Sequence, residues 1–174
     1  LRRQRQMCIR DRAASGDNDV KTGVATTEVE NGYAVALGEV STDRETRNAF
    51  KVAAPTEGKD LIGLVYNADV PSLTDGMGNV FKGITSDPRT IKFEAGTPFN
   101  IYMPSIGDEI AMTEISGEAT GAKYVIYKAG DSKPTYSTDG TDGLLTFKIT
   151  GKKYVSVGAE RVPTVELIAV PNVA

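Results

Sequence analysis

Residues 99–127 read FNIYMPSIGDEIAMTEISGEATGAKYVIY, and three short runs in this stretch alternate apolar and polar side chains. Two further runs of the same kind follow, and no helical stretch separates any of them. The five runs are 99–103, 109–113, 123–127, 145–149 and 164–168. Because successive side chains of a strand point to opposite faces, each run buries one face and exposes the other. The sequence therefore predicts a mainly β protein, built as a small antiparallel β-barrel or a β-sandwich.

Three more strands are predicted in the first half of the chain. Residues 33–37 and 49–53 are short apolar runs bounded by glycine or proline, and 61–66 is continuously apolar, which is typical of a buried central strand. Residues 41–48 are charged and predict either a helical turn or a loop. Residues 67–92 carry several turn signals and predict a long loop. We interpret it as a surface loop without special chemistry, and the alternatives are a functional loop or one that contains a short strand, such as 80–84.

Composition favours a single domain. The chain has 174 residues, of which 40% are hydrophobic and 25% charged, with 18 glycines. A chain of this length buries enough surface for a stable core without disulfides, and Cys8 is the only cysteine. No apolar run approaches the 18 or so residues that a membrane-spanning helix needs. We therefore expect a protein without a membrane partner.

The N-terminal residues 1–12, LRRQRQMCIRDR, differ in composition from the rest of the chain. Five arginines could form a basic arm that binds nucleic acid or an acidic partner. The string also resembles a translated sequencing-adapter remnant, in which case the segment is non-native and the true start lies upstream or is lost. We favour this second interpretation. The predicted organisation is therefore a non-native segment (1–12), a flexible arm or linker (13–30) and one β domain (31–174).

Charge argues against nucleic acid as a partner. Residues 1–12 contain five basic residues and one acidic residue, so residues 13–174 carry a net charge of −7, against −3 for the whole chain. An acidic surface repels phosphate backbones. Binding to nucleic acid would depend on the arginine segment alone.

Residue chemistry argues against an enzyme. The chain has no histidine, so it lacks the usual general base, zinc ligand and member of a catalytic triad. Paired carboxylates could hydrolyse glycosides, and Asp108 with Glu109, or Glu114 with Glu118, are the candidates. Asp108 and Glu109 are neighbours at the start of a strand, so their side chains are expected on opposite faces. We predict no catalytic residues.

Candidate ligand sites are also weak. The segment 117–123, GEATGAK, lacks the spacing of a phosphate-binding loop and leads into a strand. The segments 17–19 (DND) and 139–143 (DGTDG) offer oxygen ligands but not the register of a calcium loop, so we interpret them as turns. Tyr102, Tyr124 and Tyr127 could stack on a sugar ring, although their spacing favours sheet packing. No cofactor or metal is predicted.

Taken together, several segments resemble a known family. They are 31–38 (NGYAVALG), 53–55 (AAP) before 60–65 (DLIGLV), 93–96 (FEAG) leading to 106–110 (IGDEI), 123–125 (KYV) with 129–130 (AG), and 165–167 (VEL). Over about residues 29–170 the chain is similar to head decoration, or capsid-stabilising, proteins of tailed phages that infect gut Firmicutes. The resemblance implies a non-enzymatic virion protein, made in the bacterial cytoplasm and located on the capsid surface.

The resemblance also implies partners. These are the major capsid protein and further copies of the same chain, as in a trimer on the capsid. A decoration protein that binds only the assembled shell stabilises that state by mass action. The alternative is a surface adhesin, a β module that binds glycan or protein, which would carry a concave patch of aromatic residues.

Overall fold

Strands form all of the regular secondary structure in the part of the chain that the computed structural model describes. That part comprises residues 20–44, 46, 48–58, 60–66, 72–74, 80–82, 92–157 and 160–172. Its strands are β1 (Val20–Ala25), β2 (Val29–Glu30), β3 (Ala34–Val40), β4 (Phe50–Ala53), β5 (Ile62–Val65), β6 (Ser72–Thr74), β7 (Val80–Lys82), β8 (Lys92–Phe93), β9 (Pro98–Tyr102), β10 (Glu109–Met112), β11 (Tyr124–Tyr127), β12 (Thr135–Ser137), β13 (Leu145–Val157) and β14 (Glu160–Val170). The prediction of a mainly β fold is confirmed.

Five strands close into a barrel in the order β1-β4-β3-β5-β9. β1 completes the ring, since it pairs with β9 on one side and with β4 on the other. The β1–β4 pair is parallel, with Gly23 opposite Phe50, and the other four pairs are antiparallel. The predicted antiparallel barrel is therefore observed with one parallel pair. The long connection through β2 and β3 allows β4 to run in the same direction as β1.

Two glycines let the barrel interior close around one isoleucine. Ile101 on β9 is fully buried between β1 and β5, the two strands that flank β9. A β carbon at Gly63 would lie 2.4 Å from Ile101 Cγ2 and 3.0 Å from the backbone oxygen of Tyr102. A β carbon at Gly23 would lie 2.4 Å from Ile101 Cδ1. Larger residues at these two positions would collide with the side chain that fills the barrel.

A second sheet follows the barrel, in the order β10-β14-β13-β11-β12. β13 and β14 form a long hairpin that runs from Thr146 opposite Val170 to Val157 opposite Glu160. Its register shifts between Ile149 and Gly151, which marks a β-bulge. The predicted strands at 145–149 and 164–168 are confirmed, but they are only the parts of β13 and β14 that lie inside the sheet.

The barrel and the second sheet share a hydrophobic core. On β3, β5 and β9, Val35, Val65 and Ile101 point into the barrel. Their neighbours along the chain point the other way. These neighbours are Ala34, Leu64 and Tyr102, and they pack against the second sheet. These strands are therefore buried on both faces, which explains the continuously apolar run at 61–66 and confirms the predicted central strand.

Hydrogen bonds join the connections of the two sheets. The hydroxyl of Tyr127 on β11 donates to the backbone oxygen of Gly32, just before β3, at 2.6 Å. The backbone N–H of Ala34 donates to Ser132 O at 2.8 Å, and that of Gly130 donates to Pro55 O at 2.7 Å. The barrel is thus attached to the second sheet by polar contacts as well as by the shared core.

The predicted N-terminal arm is wrong over much of its length. Residues 13–30 were expected to be a flexible arm or linker, but Val20–Ala25 is β1 and Val29–Glu30 is β2. The side chains of β1 are mostly small or polar, so their pattern does not predict a strand. Backbone hydrogen bonds to β4 and β9 nevertheless hold β1 in the barrel. The β domain therefore begins before residue 31. Residues 1–12 and 13–19 lie outside the described part of the chain.

The structure describes parts of two segments, 41–48 and 67–92, for which the sequence left alternatives open. In 41–48 the described residues form bends and a turn, with the hydroxyls of Ser41 and Thr46 2.7 Å apart, so the loop prediction is confirmed. Within 67–92 the short strand expected at 80–84 is observed as β7, which pairs with β6. β8 at the end of this segment pairs with β2. The remaining residues of 67–92 lie outside the described part.

Candidate functional site

Asp108 stabilises the turn between β9 and β10. Asp108 Oδ2 accepts hydrogen bonds from the Ser105 N–H at 2.8 Å and from the hydroxyl of the buried Tyr102. This carboxylate therefore attaches the turn between β9 and β10 to the barrel. Its neighbour Glu109 is exposed. The two carboxylates have separate surroundings and do not form the convergent pair that glycoside hydrolysis requires.

Glu114 and Glu118 lie in the connection between β10 and β11, and both are exposed. A carboxyl group acts as a general acid near neutral pH when burial or a neighbouring charge raises its pKa. An exposed position in a connection supplies no such burial. The geometry therefore gives neither residue a catalytic setting.

The segment 117–123 is a turn, as predicted. Gly117 and Gly121 have positive φ angles of 89° and 75°, and the strand β11 follows directly. A phosphate-binding loop instead ends in a helix, whose N-terminal N–H groups hold the anion. This segment does not place such donors.

The oxygen-rich segment 139–143 is also a turn. Asp139 Oδ1 accepts hydrogen bonds from the Thr141 N–H and from the hydroxyls of Thr141 and Ser137. These bonds lower the pKa of Asp139, and the bond from the Thr141 N–H has the largest effect. In the described residues no group of three or more metal-ligating side chains is present. The segment 17–19 lies outside the described part.

The tyrosines that could stack on a sugar serve mainly as packing. Tyr102 and Tyr127 are buried in the core between the barrel and the second sheet. Tyr124 is half-buried, with its ring beside Gly140. The prediction of sheet packing is confirmed for Tyr102 and Tyr127. These three residues form no open aromatic platform.

An open groove of about 230 Å³ lies next to the β-bulge. Its polar lining comes from Glu109, Thr150, Lys153 and Glu166. Lys153 Nζ lies 2.8 Å from Glu166 Oε1, so the only cation among these four side chains is already paired. Gly151 is part of this arrangement, because a β carbon there would lie 2.8 Å from Glu166 Oε2.

The most distinctive surface is the end of the β13–β14 hairpin. β11 pairs with β13 only from Leu145, which lies opposite Tyr127, to Lys148. β10 pairs with β14 only from Val165 onward. We call residues 150–157 and 160–164 the ribbon. Within the described strands, each side of the ribbon pairs only with the other. The ribbon therefore extends beyond the neighbouring strands of the sheet.

One face of the ribbon continues the core-facing side of the sheet. The register places Lys152 opposite the core residue Val165, and Tyr154 opposite Pro163. Arg161 lies on the same face, two residues from Pro163. We call Lys152, Tyr154, Arg161 and Pro163 the overhanging face. All four side chains are exposed, with Tyr154 at 66%.

The overhanging face is basic and partly ordered by its own contacts. The guanidinium carbon of Arg161 lies 5.3 Å from the centre of the Tyr154 ring, which is a cation–π contact. The ionic contact of the ribbon, between Lys153 and Glu166, lies on the opposite face. The overhanging face thus carries two cations and an aromatic ring at the surface.

Sequence reasoning missed this surface. The alternating runs at 145–149 and 164–168 continue through KKYVSV (152–157) and ERV (160–162). Gly151 and Pro163 interrupt the pattern, because glycine weakens a strand and proline is found on edge strands or at bulges. The Gly158-Ala159 pair, which has the glycine-first form of a two-residue hairpin turn, is the signal that could have indicated one long hairpin.

No family model, curated protein or solved structure matches this chain. Among the described residues no helix is long and apolar enough to span a membrane.

Proposed function

We propose that this chain is a phage virion protein that binds an assembled capsid and stabilises it, that is, a decoration protein without enzymatic activity. The family resemblance of the sequence motivates this proposal. The structural observation that carries it is the ribbon, because an element that extends past its own sheet with exposed tyrosine and arginine suits protein contact. Tyrosine and arginine are enriched among the residues that dominate binding energy at interfaces.

The mechanism is mass action. A protein that binds the assembled shell and not the free subunits lowers the free energy of the shell by RT ln(1 + [L]/Kd) per site. At a concentration of 100 times Kd this amounts to about 2.7 kcal/mol per site. Summed over the sites of a shell, modest binding at each one gives a large resistance to disassembly.

The fold supplies a rigid support for such binding. The barrel and the second sheet share one core, so the ribbon projects from a packed base. A preorganised surface loses little conformational entropy when it binds. Under this proposal the partners are the major capsid protein and other copies of the chain on the capsid surface. The net charge of −7 over residues 13–174 argues against a nucleic-acid partner.

The test uses cognate phage capsids that are assembled without the protein. The full chain is expected to sediment with these capsids and to raise the temperature at which they disassemble. Unassembled capsid subunits are the control and should bind at least tenfold more weakly. Failure of the chain to sediment with assembled capsids would contradict the proposal.

A surface adhesin is the second candidate, and the groove beside the β-bulge is the observation that favours it. Glu109, Thr150 and Glu166 place hydroxyl and carboxylate groups around an open space of about 230 Å³, and such groups can hydrogen-bond to sugar hydroxyls. Binding of the chain to a polysaccharide on a glycan array, with loss of binding in Thr150→Val, would support this function. Capsid binding without glycan binding would exclude it.

A further inference from the structure

We infer that the overhanging face of the ribbon is the surface that contacts the capsid, and that it docks on an acidic patch of the capsid protein. This inference rests on the proposed function and deepens it by naming the contact residues and the chemistry of the partner. Lys152, Tyr154, Arg161 and Pro163 carry it.

The overhanging face lies on the side of the hairpin that is buried inside the sheet. Inside the sheet, the same side of β14 is covered by the shared core, where Val165, Leu167 and Ala169 are buried. Beyond Val165 the alternation brings Pro163 and Arg161 to that side, and both are exposed. The opposite face of the ribbon is covered at Val162 and Thr164, which are 3% and 2% exposed, so the overhanging face is the side of the ribbon that is open to a neighbouring molecule.

The charge of the overhanging face indicates the chemistry of the surface that it binds. Residues 150–164 contain three basic residues and one acidic residue, a net charge of +2, so the rest of residues 13–174 carries −9. The two charged side chains of the overhanging face, Lys152 and Arg161, are both basic. The overhanging face is therefore a basic site on an acidic molecule, and an acidic protein surface complements it.

A protein partner fits better than nucleic acid. A protein can present carboxylates at the ribbon alone, whereas nucleic acid carries phosphates along its whole length and would meet the acidic remainder of the chain. Charges further apart than about 8 Å are largely screened at physiological ionic strength. A local patch of carboxylates can thus bind the ribbon despite the overall negative charge.

The chemistry of Arg161 strengthens this choice. A guanidinium group binds a carboxylate through two parallel hydrogen bonds, and it can do so while stacked on an aromatic ring. The Tyr154 ring restricts Arg161 in the free protein. Pro163 has no N–H to donate, so β14 is a poor template for an added strand here. On β14 the contact is therefore made by the face of the ribbon and not by the strand edge.

The size of the face predicts how much of the interface it supplies. The eight residues 150–157 span roughly 26 Å, and the ribbon is two strands, or roughly 10 Å, wide, so its face is smaller than a standard interface of about 800 Å² per partner. The ribbon is thus one part of the contact. Substitutions on it should weaken binding to the capsid without abolishing it.

The experiment compares three variants of the full chain, Lys152→Glu, Tyr154→Thr and Arg161→Gln, by co-sedimentation with capsids that lack the protein. Lys51→Glu is the matched control, since Lys51 is an exposed lysine on the barrel strand β4. All four changes are on the surface and should leave the melting temperature within a few degrees. Lys152→Glu should weaken binding at least tenfold, and the other two ribbon variants at least fivefold, with Lys51→Glu within twofold. Salt should weaken binding of the wild type more steeply than that of Lys152→Glu.

Each other outcome overturns the inference. If the wild type binds capsids and Lys152→Glu binds as well as Lys51→Glu does, the ribbon is not the contact while the decoration function stands. If the wild type does not bind capsids, both proposals fail. If the ribbon variants instead lose self-association or binding to single-stranded DNA, with capsid binding unchanged, the partner is wrong.

Discussion

Tyr127 joins the second sheet to the barrel through one buried side chain. Its hydroxyl donates to Gly32 O at 2.6 Å, and its ring packs edge-on against Phe147 at 6.3 Å between centroids. Burial raises the pKa of Tyr127 far above its ordinary value of 10.0. The folded protein therefore keeps this hydroxyl protonated at pH values where the unfolded chain releases the proton.

We expect Tyr127→Phe to change the alkaline stability of the protein. The contribution of Tyr127 is fully present below pH 10 and is lost as pH rises above it, at about 1.4 kcal/mol per pH unit. The variant should be less stable by about 1 kcal/mol at pH 7, because the hydrogen bond is lost. Above pH 10 its stability should fall more slowly. Urea unfolding monitored by circular dichroism from pH 7 to 12 measures both effects, and equal slopes would contradict the assignment.

Gly63 is a second residue on which the fold depends. Its missing side chain makes room for Ile101 inside the barrel and for the backbone of β9. Because a backbone oxygen cannot move aside as the end of a flexible side chain can, the site is intolerant of added volume.

Gly63→Ala should therefore destabilise the protein by about 1–3 kcal/mol, the usual cost of overpacking a core. Gly58→Ala is the control, since its β carbon would meet only Leu144 Cδ2, at 3.9 Å. That change should alter the free energy of unfolding by less than about 0.5 kcal/mol. Equal effects of the two substitutions in chemical denaturation would show that the barrel adjusts at Gly63.

At the scale of elements, β1 decides whether the barrel is closed. It is the only described strand that bridges β4 and β9. Val20 pairs with Tyr102, and Ala25 pairs with Val52. Without β1, β4 and β9 would become free edges and the barrel interior would open to water.

Two truncations test the boundary that β1 sets. Deletion of residues 1–12 should leave the melting temperature unchanged, because a charged segment without apolar periodicity buries little. Deletion of residues 1–28 removes β1 and should abolish cooperative unfolding or lower the melting temperature by more than about 10 °C. A stable, cooperative fold after the longer deletion, seen by scanning calorimetry, would contradict the role of β1.

The whole molecule behaves as one packing unit in the described residues. Leu64, Tyr102 and Ala34 of the barrel belong to the same core cluster as Phe147 and Leu167 of the second sheet. A change in this shared core affects both sheets at once, since neither can lose its partner without exposing buried apolar surface.

Leu64→Ala tests this coupling. Leu64 is fully buried, and its truncation should cost about 2–5 kcal/mol. Leu61, three residues earlier, is 66% exposed, so Leu61→Ala should change stability by less than about 0.5 kcal/mol. Scanning calorimetry should show a single transition for the wild type and both variants. Two separated transitions in the wild type would show that the barrel and the second sheet unfold independently.

Much of the strand content follows from local pattern. The runs at 99–103, 109–113 and 123–127 match β9, β10 and β11 closely, since alternation of apolar and polar residues is a property of neighbouring residues. β1 escaped the same reasoning because Lys21, Thr22 and Gly23 have no apolar alternation. The turn at 139–143 was also predicted from sequence. The ribbon was not, since Gly151 and Pro163 break its pattern.

The sequence by itself determined that the protein is built from strands and that its titratable side chains offer no histidine chemistry. Only the tertiary structure decided that β1 closes a barrel, that β3, β5 and β9 are buried on both faces, and that the hairpin extends past its sheet. These features depend on pairing between distant residues, such as Thr22 with Asn100. The shape of the shared core selects this pairing, because a glycine or a small residue fits only where a large side chain lies opposite it. A local pattern of residues does not contain that information.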